Sequence, residues 1–250
     1  MCGRFAQTFQ TQELEHIERM LQQTLGIDDE LIELFAANYQ PSYNTPPTGH
    51  ATIIYQPGNT PSKRPQFTQA HFGLIPSWSK DRSRAASMNN ARSETIAIKP
   101  SFRNLYRSSR CLIPISGFYE WQAISGSKTK QPWYIHRADA QPLMLAGVWD
   151  TWLDPEHGHS EVDTFSIITT HANNFMSDIH HRMPVIIEPE SINQWFNRTT
   201  ERRDLDEILT PSPAGILAGH RVSKRVNATI NNDASLIEPD MDIPPSSLWG

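Results

Sequence analysis

The apolar positions near the start of the chain follow a helical period. They recur every three or four residues, at Leu14, Ile17, Leu21 and Leu25, which is the spacing of one face of an α-helix. Gly26 comes directly after them, and glycine often ends a helix because it adopts the left-handed conformation without strain. We therefore expect a helix that ends at Gly26 and packs against the core through this face.

Beyond this helix, the apolar residues form short runs separated by turn residues. The runs are rich in β-branched and aromatic side chains, which is typical of strands. They are Ala51–Tyr55, Phe67–Ile75, Cys111–Ile115, Trp133–His136, Leu143–Val148, Phe165–Thr169, Val185–Ile187 and Ile216–Val222. Short helices are expected at Ser101–Arg107, Ala172–Ser177, Ser191–Phe196 and Leu205–Leu209. Because strands and helices do not alternate regularly, we predict an α+β fold with a mostly antiparallel sheet or a partly closed β-barrel.

Length and composition favour one soluble domain. The 250 residues contain no Gly/Ser tract or abrupt change of composition that would mark a linker. We expect a domain over residues 1–238 and a flexible tail over residues 239–250, which holds three prolines and two serines. The N-terminus lacks the features of a signal peptide, and no apolar run is long enough to span a membrane. These features predict a cytoplasmic protein.

The net charge of −5 hides a basic stretch. Residues 80–110 carry eight basic and two acidic side chains, a local charge of +6 that leaves −11 on the remainder. The basic residues are Lys80, Arg82, Arg84, Arg92, Lys99, Arg103, Arg107 and Arg110. A basic patch on an acidic body suits a phosphate-binding face, because the acidic remainder disfavours indiscriminate binding to nucleic acid. On charge alone, a solvated arginine-rich helix face explains the stretch equally well.

Cys2 offers unusual chemistry if Met1 is removed, as is normal before a small residue. The mature chain would then begin with an α-amino group beside a thiol, and these groups titrate near ~7.7–8.0 and ~8.5. A neutral amine attacks an aldehyde to form a Schiff base, and the thiol can then close a five-membered thiazolidine ring. The only other cysteine is Cys111, so a disulfide framework is not expected and a reducing compartment fits. Taken alone, a cysteine at position 2 is far more often an exposed, incidental thiol than a reactive centre.

Three further segments contain residues suited to catalysis. Asn89–Thr95 lies inside the basic stretch and could also be an ordinary loop with a capping Glu. In Gly117–Trp121, Glu120 is bracketed by aromatics, which would raise the pKa of its carboxyl group as a general acid requires, although it could instead lie on the outer face of a strand. In Ile179–Pro184, His180 offers a titratable imidazole, although such a histidine is more often structural or solvated.

The order of the motifs along the chain is more specific than any one of them. They are MCGRF at Met1–Phe5, YNTPP at Tyr43–Pro47, GLIPSW at Gly73–Trp78, NNARSET at Asn89–Thr95, SGFYEW at Ser116–Trp121, TTHAN at Thr169–Asn173, IHHRMP at Ile179–Pro184 and VSKRVN at Val222–Asn227. Together they resemble the SOS-response-associated peptidase (SRAP) family, whose members shield abasic sites in single-stranded DNA. The resemblance extends from Met1 to about Pro239.

The resemblance implies a role for each matching residue. The covalent residue falls on Cys2, and the other catalytic residues fall on Asn90, Glu120 and His180. In this assignment His180 manages the proton at the sugar ring oxygen, Glu120 moves protons during Schiff-base formation and ring closure, and Asn90 orients the opened sugar or the amine. Contacts with DNA fall on Arg4, Asn44, Trp78, Arg92, Lys99 and Arg182. Trp78 corresponds to a wedge that unstacks flanking bases.

The chain departs from the family pattern at Pro100, where the pattern has an arginine. Lys99 is expected to replace that arginine as a point charge without its bidentate fork. The resemblance further implies a monomer that crosslinks to abasic sites during the DNA damage response, without a cofactor or metal, in the cytoplasm and at the nucleoid when bound to DNA. An AP-lyase-like or peptidase activity is also compatible with it.

Two other classes of function stay open from the residues alone. In the first, Cys2 is the N-terminal nucleophile of a peptidase or amidohydrolase with His180 as its base, although such a hydrolase has no need of an arginine-rich groove. In the second, Cys2 binds a metal together with His180, His181 or Cys111. The sequence holds no closely spaced Cys/His pairing of the zinc type, which disfavours this second class.

Overall fold

A computed structural model of the chain describes residues 2–27, 33, 35, 39–57 and 65–241. The predicted first helix is α1 (Thr11–Leu25). Its N-terminus is capped by Glu13, whose carboxylate accepts a hydrogen bond from the backbone N–H of Gln10 (2.7 Å). It ends at Gly26, which has φ +60°, as the sequence predicts. The buried face includes Ile17 and Leu21.

The described residues contain twelve strands and five further short helices. The strands are β1 (Arg4–Gln7), β2 (Ser42–Thr45), β3 (His50–Tyr55), β4 (Gln66–Phe72), β5 (Asn90–Arg92), β6 (Arg110–Ile115), β7 (Gly117–Ala123), β8 (Lys130–Arg137), β9 (Leu143–Asp154), β10 (Ser160–His171), β11 (Arg182–Pro184) and β12 (Leu217–Arg221). The helices are α2 (Ser93–Ile96), α3 (Arg103–Ser108), α4 (Asn174–Ser177), α5 (Ile192–Phe196) and α6 (Arg202–Ile208).

Two sheets form the body of the protein. The first has the order β12-β8-β7-β1-β2 and is antiparallel throughout. In the second, β10, β4, β3, β6 and β9 pair in sequence and β9 pairs again with β10, which closes a five-stranded barrel. Only the β10/β4 pair of this ring is parallel. The predicted α+β class with a β-barrel is therefore confirmed, and the barrel is fully closed.

β10 extends from the barrel to the candidate site. Its 12 residues reach beyond the ring, where β5 pairs with it in parallel and β11 pairs with it in antiparallel orientation. These two short strands begin with Asn90 and Arg182. The barrel thus brings two distant parts of the sequence to one end of a single strand.

The main core joins the two sheets. Phe5 on β1 contacts Phe72 on β4 edge-to-face, and Phe72 stacks on Phe165 of β10, with ring centroids 5.2 Å apart in both pairs. All three side chains are fully buried, and burial of one such ring contributes ~1.5–3 kcal/mol. This packing fixes β1 against the barrel and so places the segment that precedes it. A second cluster packs α1, α5 and α6 around Trp195.

The structure differs from the sequence predictions at particular strands. Val185–Ile187 follows β11 and makes a single bridge, between Ile186 and Leu145, rather than a strand. β4 ends at Phe72 because Gly73 turns the chain with φ +131°. β1, β2 and β5 have three or four residues each, too short to show an alternating pattern. Most of the tail predicted for residues 239–250 lies outside the described residues.

Candidate active site

Cys2 lies directly before β1 and is completely buried (0% exposed). It packs in the same apolar cluster as Phe5 and Phe118. Burial raises the pKa of the Cys2 thiol, and the nearby charge of Glu120 raises it further. The group is therefore a protonated thiol at neutral pH.

Glu120 is brought to Cys2 by the pairing of β1 with β7. Tyr119 lies opposite Arg4 in this antiparallel register, so Glu120, the next residue on β7, faces the segment that precedes β1. The side chain of Glu120 is only 3% exposed. Burial raises the pKa of its carboxyl group, so the carboxyl stays protonated to a higher pH than an exposed one, which suits a residue that transfers protons.

Asn90 is hydrogen-bonded directly to the Cys2 segment. Its side-chain Nδ2 donates to the backbone carbonyl of Cys2 at 3.0 Å. The position of Asn90 is set by β5, where it lies opposite Ile167 of β10. Two residues that are 88 positions apart in the sequence are thus in contact.

His180 lies on the loop between α4 and β11. The helix is capped by Asn173, whose side-chain oxygen accepts from the backbone N–H of Met176 (2.9 Å). The loop is tied to β7 by Gln122, whose Nε2 donates to the backbone oxygen of Asp178 (2.8 Å). Gln122 is two residues from Glu120, so this bond holds the histidine loop beside the carboxylate strand.

The His180 ring is held through Nδ1 by the backbone of Arg182. The backbone N–H of Arg182 lies 3.0 Å and its backbone oxygen 3.2 Å from Nδ1, so Nδ1 accepts or donates according to the tautomer, and Nε2 is not used by these bonds. Burial lowers the pKa of His180. The adjacent His181 is exposed, and its ring centroid lies 4.3 Å from that of His180. A positive charge on His181 favours the ionised form of Glu120. Sequence reasoning missed both this coupling and the bond from Gln122, since neither has a recognisable sequence motif.

Trp78 projects from a loop that is itself well anchored. Its side chain is 69% exposed, whereas the backbone N–H of Ser77 donates to Asp150 (2.7 Å) and Trp152 donates to the backbone oxygen of Ser79 (2.8 Å). Because the loop is already fixed, stacking of the exposed indole on a base costs little conformational entropy. The position is therefore suited to the predicted wedge.

Arg4 and Asn44 contact the same C-terminal segment. Arg4 donates to the side-chain oxygen of Asn44 (3.2 Å) and to the backbone oxygens of Val226 and Asn227. Asn44 is buried, and its Nδ2 donates to the backbone oxygens of residues 226, 228 and 231. The Arg4 guanidinium also lies over the Trp121 ring (5.7 Å). Arg4 is partly exposed, whereas the hydrogen bonds of buried Asn44 hold the segment of residues 226–231 in place.

The remaining predicted DNA contacts differ in exposure. Arg92 and Lys99 are exposed. Arg182 is only 5% exposed, and its guanidinium binds both carboxylate oxygens of Glu94 (2.6 and 3.1 Å) as well as the backbone oxygen of Thr169. Arg182 therefore holds β11 against α2 and keeps the His180 loop in place.

The basic stretch of residues 80–110 does not act as one surface. Arg82 forms an ion pair with Asp154 and lies over the ring of Trp152. Arg110 is buried and donates to backbone oxygens. Part of the local charge of +6 is therefore used within the fold, which the sequence alone could not show.

Two further features concern the described residues. No helix there is long and apolar enough to cross a bilayer. Within the same residues, no group of three or more His, Cys, Asp or Glu side chains is arranged to hold a metal ion. Cys111 lies in the core beside Gly147.

The closed barrel, with Cys2, Asn90 and Glu120 beside one another, defines an α+β barrel protein with a buried cysteine at its candidate site. The family model described as SOS response associated peptidase (SRAP) matches residues 1–229, and the chain belongs to this family. It is 37% identical to the abasic site processing protein YoqW of Bacillus subtilis, over 95% of this chain and 99% of the relative. It is 31% identical to the abasic site processing protein YedK of Escherichia coli, over 96% of this chain and 100% of the relative.

Solved structures share the fold. A crystal structure of a protein from Bacteroides thetaiotaomicron superposes with a TM-score of 0.76 at 26% identity, covering 95% of this chain and 100% of the other. The family and the architecture thus agree with the sequence resemblance.

Proposed function

We propose that this protein captures abasic sites in single-stranded DNA by a covalent bond to Cys2. The observation that carries the proposal is the convergence of Cys2, Asn90 and Glu120 at one buried point. The relatives' name, abasic site processing protein, indicates the substrate class. The proposal requires removal of Met1, which frees the α-amino group of Cys2.

The first step is opening of the abasic sugar. An abasic deoxyribose is mainly a closed hemiacetal, and its ring oxygen must gain a proton while the hydroxyl on C1′ loses one. His180 is proposed to manage the proton at the ring oxygen through Nε2. When Nδ1 carries the ring proton and donates it to the Arg182 oxygen, Nε2 of the neutral imidazole can take the proton of the C1′ hydroxyl and pass it to the ring oxygen. The lowered pKa of His180 favours this neutral form.

The second step is formation of the Schiff base. The α-amine of Cys2 adds to the C1′ aldehyde, and the resulting carbinolamine loses its hydroxyl as water when that oxygen is protonated. Glu120 is proposed to give this proton, because burial raises its pKa and keeps it protonated at a higher pH than an exposed carboxyl. Asn90 would hold the Cys2 backbone during the attack through its bond to the carbonyl.

The third step closes the ring. The Cys2 sulfur adds to the imine carbon while the thiol proton moves to the nitrogen, which gives a thiazolidine without any oxidant or cofactor. The buried thiol has a raised pKa, so little thiolate is present beforehand. The amine is therefore proposed to attack first, and Glu120 to take the proton from the thiol afterwards. The low fraction of thiolate also argues against a peptidase reaction, which starts with thiolate attack.

The exposed side chains suggest how DNA is held. Arg92 and Lys99 are proposed to bind backbone phosphates, and Trp78 to stack on a base next to the lesion. The missing base lowers the cost of bending the strand at this point. Partly exposed Arg4 is proposed to contact the phosphate nearest to Cys2.

Intact mass spectrometry tests the capture. The protein should lose Met1 and, after incubation with a single-stranded oligonucleotide that carries one abasic site, gain the mass of the DNA minus one water. Cys2→Ala should form only a Schiff base, which borohydride traps by adding two hydrogens, whereas the wild-type thiazolidine should resist this reduction. The same strand with an intact base is the control. A borohydride-resistant adduct from Cys2→Ala would exclude the thiazolidine.

A further inference from the structure

A cavity of about 590 Å3 lies away from the Cys2 centre and is lined by five arginines. It is open to solvent on one side and is bordered by the end of α2, by α3, by the start of β6, by the segment that connects α5 to α6 and by the first turn of α6. Its arginines are Arg103, Arg107, Arg110, Arg198 and Arg202. Two of them come from a part of the chain about 90 positions beyond the other three, so the basic stretch of the sequence did not predict this cluster.

The positive charge in the cavity is poorly compensated. None of its lining residues is acidic. Arg202 pairs with the carboxylate of Asp206 (3.3 Å), which also accepts a hydrogen bond from Tyr106 (3.1 Å). Among the described residues, the other four arginines form no ion pair. Like charges held this close repel each other unless an anion joins them.

Two of the arginines cannot move away from the cluster. Arg110 is only 4% exposed, and its donors are fixed to the backbone oxygens of Tyr106, Arg107 and Asn197. Burial and the charge of Arg198 lower the pKa of Arg110 to about 10, so it still carries its charge at neutral pH. Arg198 donates to the backbone oxygen of Gln56, while its Nη1 is buried and makes no hydrogen bond among the described residues.

These features define the chemistry of a ligand. Guanidinium forks match the oxygens of phosphate in pairs, and each charge-assisted bond is stronger than a neutral one. We propose that the cavity is a second phosphate-binding site, which takes the phosphate groups either of a nucleic-acid backbone or of a free nucleotide. The four residues of α2, about 6 Å of helix, separate Arg92 on the proposed DNA face from Ala97 at the edge of the cavity.

The test compares two double variants with the same change of charge. Arg103→Ala with Arg107→Ala removes two exposed cavity arginines and leaves buried Arg110 intact. Arg19→Ala with Arg203→Ala is the control, since both residues are exposed and neither lines the cavity. Each protein is titrated calorimetrically with inorganic tripolyphosphate, and separately with an intact single-stranded 20-mer over a range of salt concentrations.

The two probes distinguish the sources. If free phosphates are the ligand, tripolyphosphate binding should weaken about tenfold or more in the cavity variant and stay unchanged in the control. If the DNA backbone is the ligand, the cavity and control variants should differ only in their binding of the 20-mer. The slope of log affinity against log salt should then be reduced by about 1.4 in the cavity variant. If the cavity and control variants behave alike with both probes, the proposal is wrong, whether or not Cys2 captures abasic sites.

Discussion

Glu120 and Cys2 are both removed from water, and the ionisation of either one disfavours that of the other. The pKa of Glu120 is higher in the folded chain than in the unfolded chain. Glu120 therefore contributes fully to the free energy of unfolding at a pH below the pKa that it has in the unfolded chain. This contribution is lost as the pH rises through the pKa that it has in the folded chain. An ionised Glu120 at neutral pH thus costs stability, which is understandable if the group is kept for proton transfer.

The proposed division of labour between His180 and Glu120 can be separated with two substrates. His180→Ala should slow crosslinking at a natural abasic site more than at an oligonucleotide that already presents a free aldehyde, because only the first must open. Glu120→Gln should slow both substrates by about 10²-fold or more, because a carboxamide cannot transfer protons. A time course of adduct formation on denaturing gels measures both.

Two controls accompany this comparison. DNA affinity is measured separately by fluorescence anisotropy, so that lost binding is not mistaken for lost chemistry. Glu120→Gln should also raise the melting temperature at pH 8, and this gain should shrink below about pH 4, where the unfolded carboxyl is protonated as well. Identical patterns for the two variants on the two substrates would refute the assigned roles.

At the scale of elements, short connections set the geometry of the site more than long strands do. Gly73 ends β4 with φ +131°, and a Cβ there would lie 2.4 Å from the backbone oxygen of Ala85. The backbone N–H of Leu74 donates to the oxygen of Met88 (3.2 Å). The loop that carries Trp78 is therefore packed against the turn that leads into Asn90.

Gly73→Ala should consequently affect both stability and DNA binding. The added methyl group must displace backbone atoms and also strains φ, which should cost about 2 kcal/mol or more in the free energy of unfolding. Gly126→Ala is a matched control, since Gly126 also has a positive φ (+75°) but has nothing within 4 Å of an added Cβ. Urea denaturation measures the stability. Equal losses in the two variants would show that the contact with Ala85 is unimportant.

The elements also show what the sequence could predict. The face of α1 and the end at Gly26 follow from a period that spans about three turns, and the apolar runs of β3, β6 and β8 are dense enough to be recognised alone. β5 and β11 have three residues each and exist because β10 offers them a partner, so no local pattern predicts them. The motifs indicated Cys2, Asn90, Glu120 and His180, but the bond from Gln122 that holds the His180 loop depends on tertiary structure.

At the scale of the whole molecule, the distribution of charge governs how DNA can approach. The net charge is −5, so distant parts of the protein repel a phosphate backbone and binding depends on local cations. Residues of the basic stretch that are tied up within the fold, such as Arg82 and Arg110, contribute less to that attraction than their number suggests. Exposed Arg92 and Lys99 should contribute more.

Single-stranded DNA affinity should therefore fall steeply with salt and depend on particular arginines. Arg92→Ala should weaken binding and reduce the slope of log affinity against log salt by about 0.7, the value for one phosphate contact on a single strand. Arg19→Ala removes the same charge from α1, where Arg19 is exposed beside Glu15, and should leave the slope unchanged because its charge is screened beyond about 8 Å. Anisotropy titrations at four salt concentrations measure both slopes. If Arg19→Ala changes the slope as much as Arg92→Ala, binding depends on overall charge, and the proposed DNA face beside Cys2 is wrong.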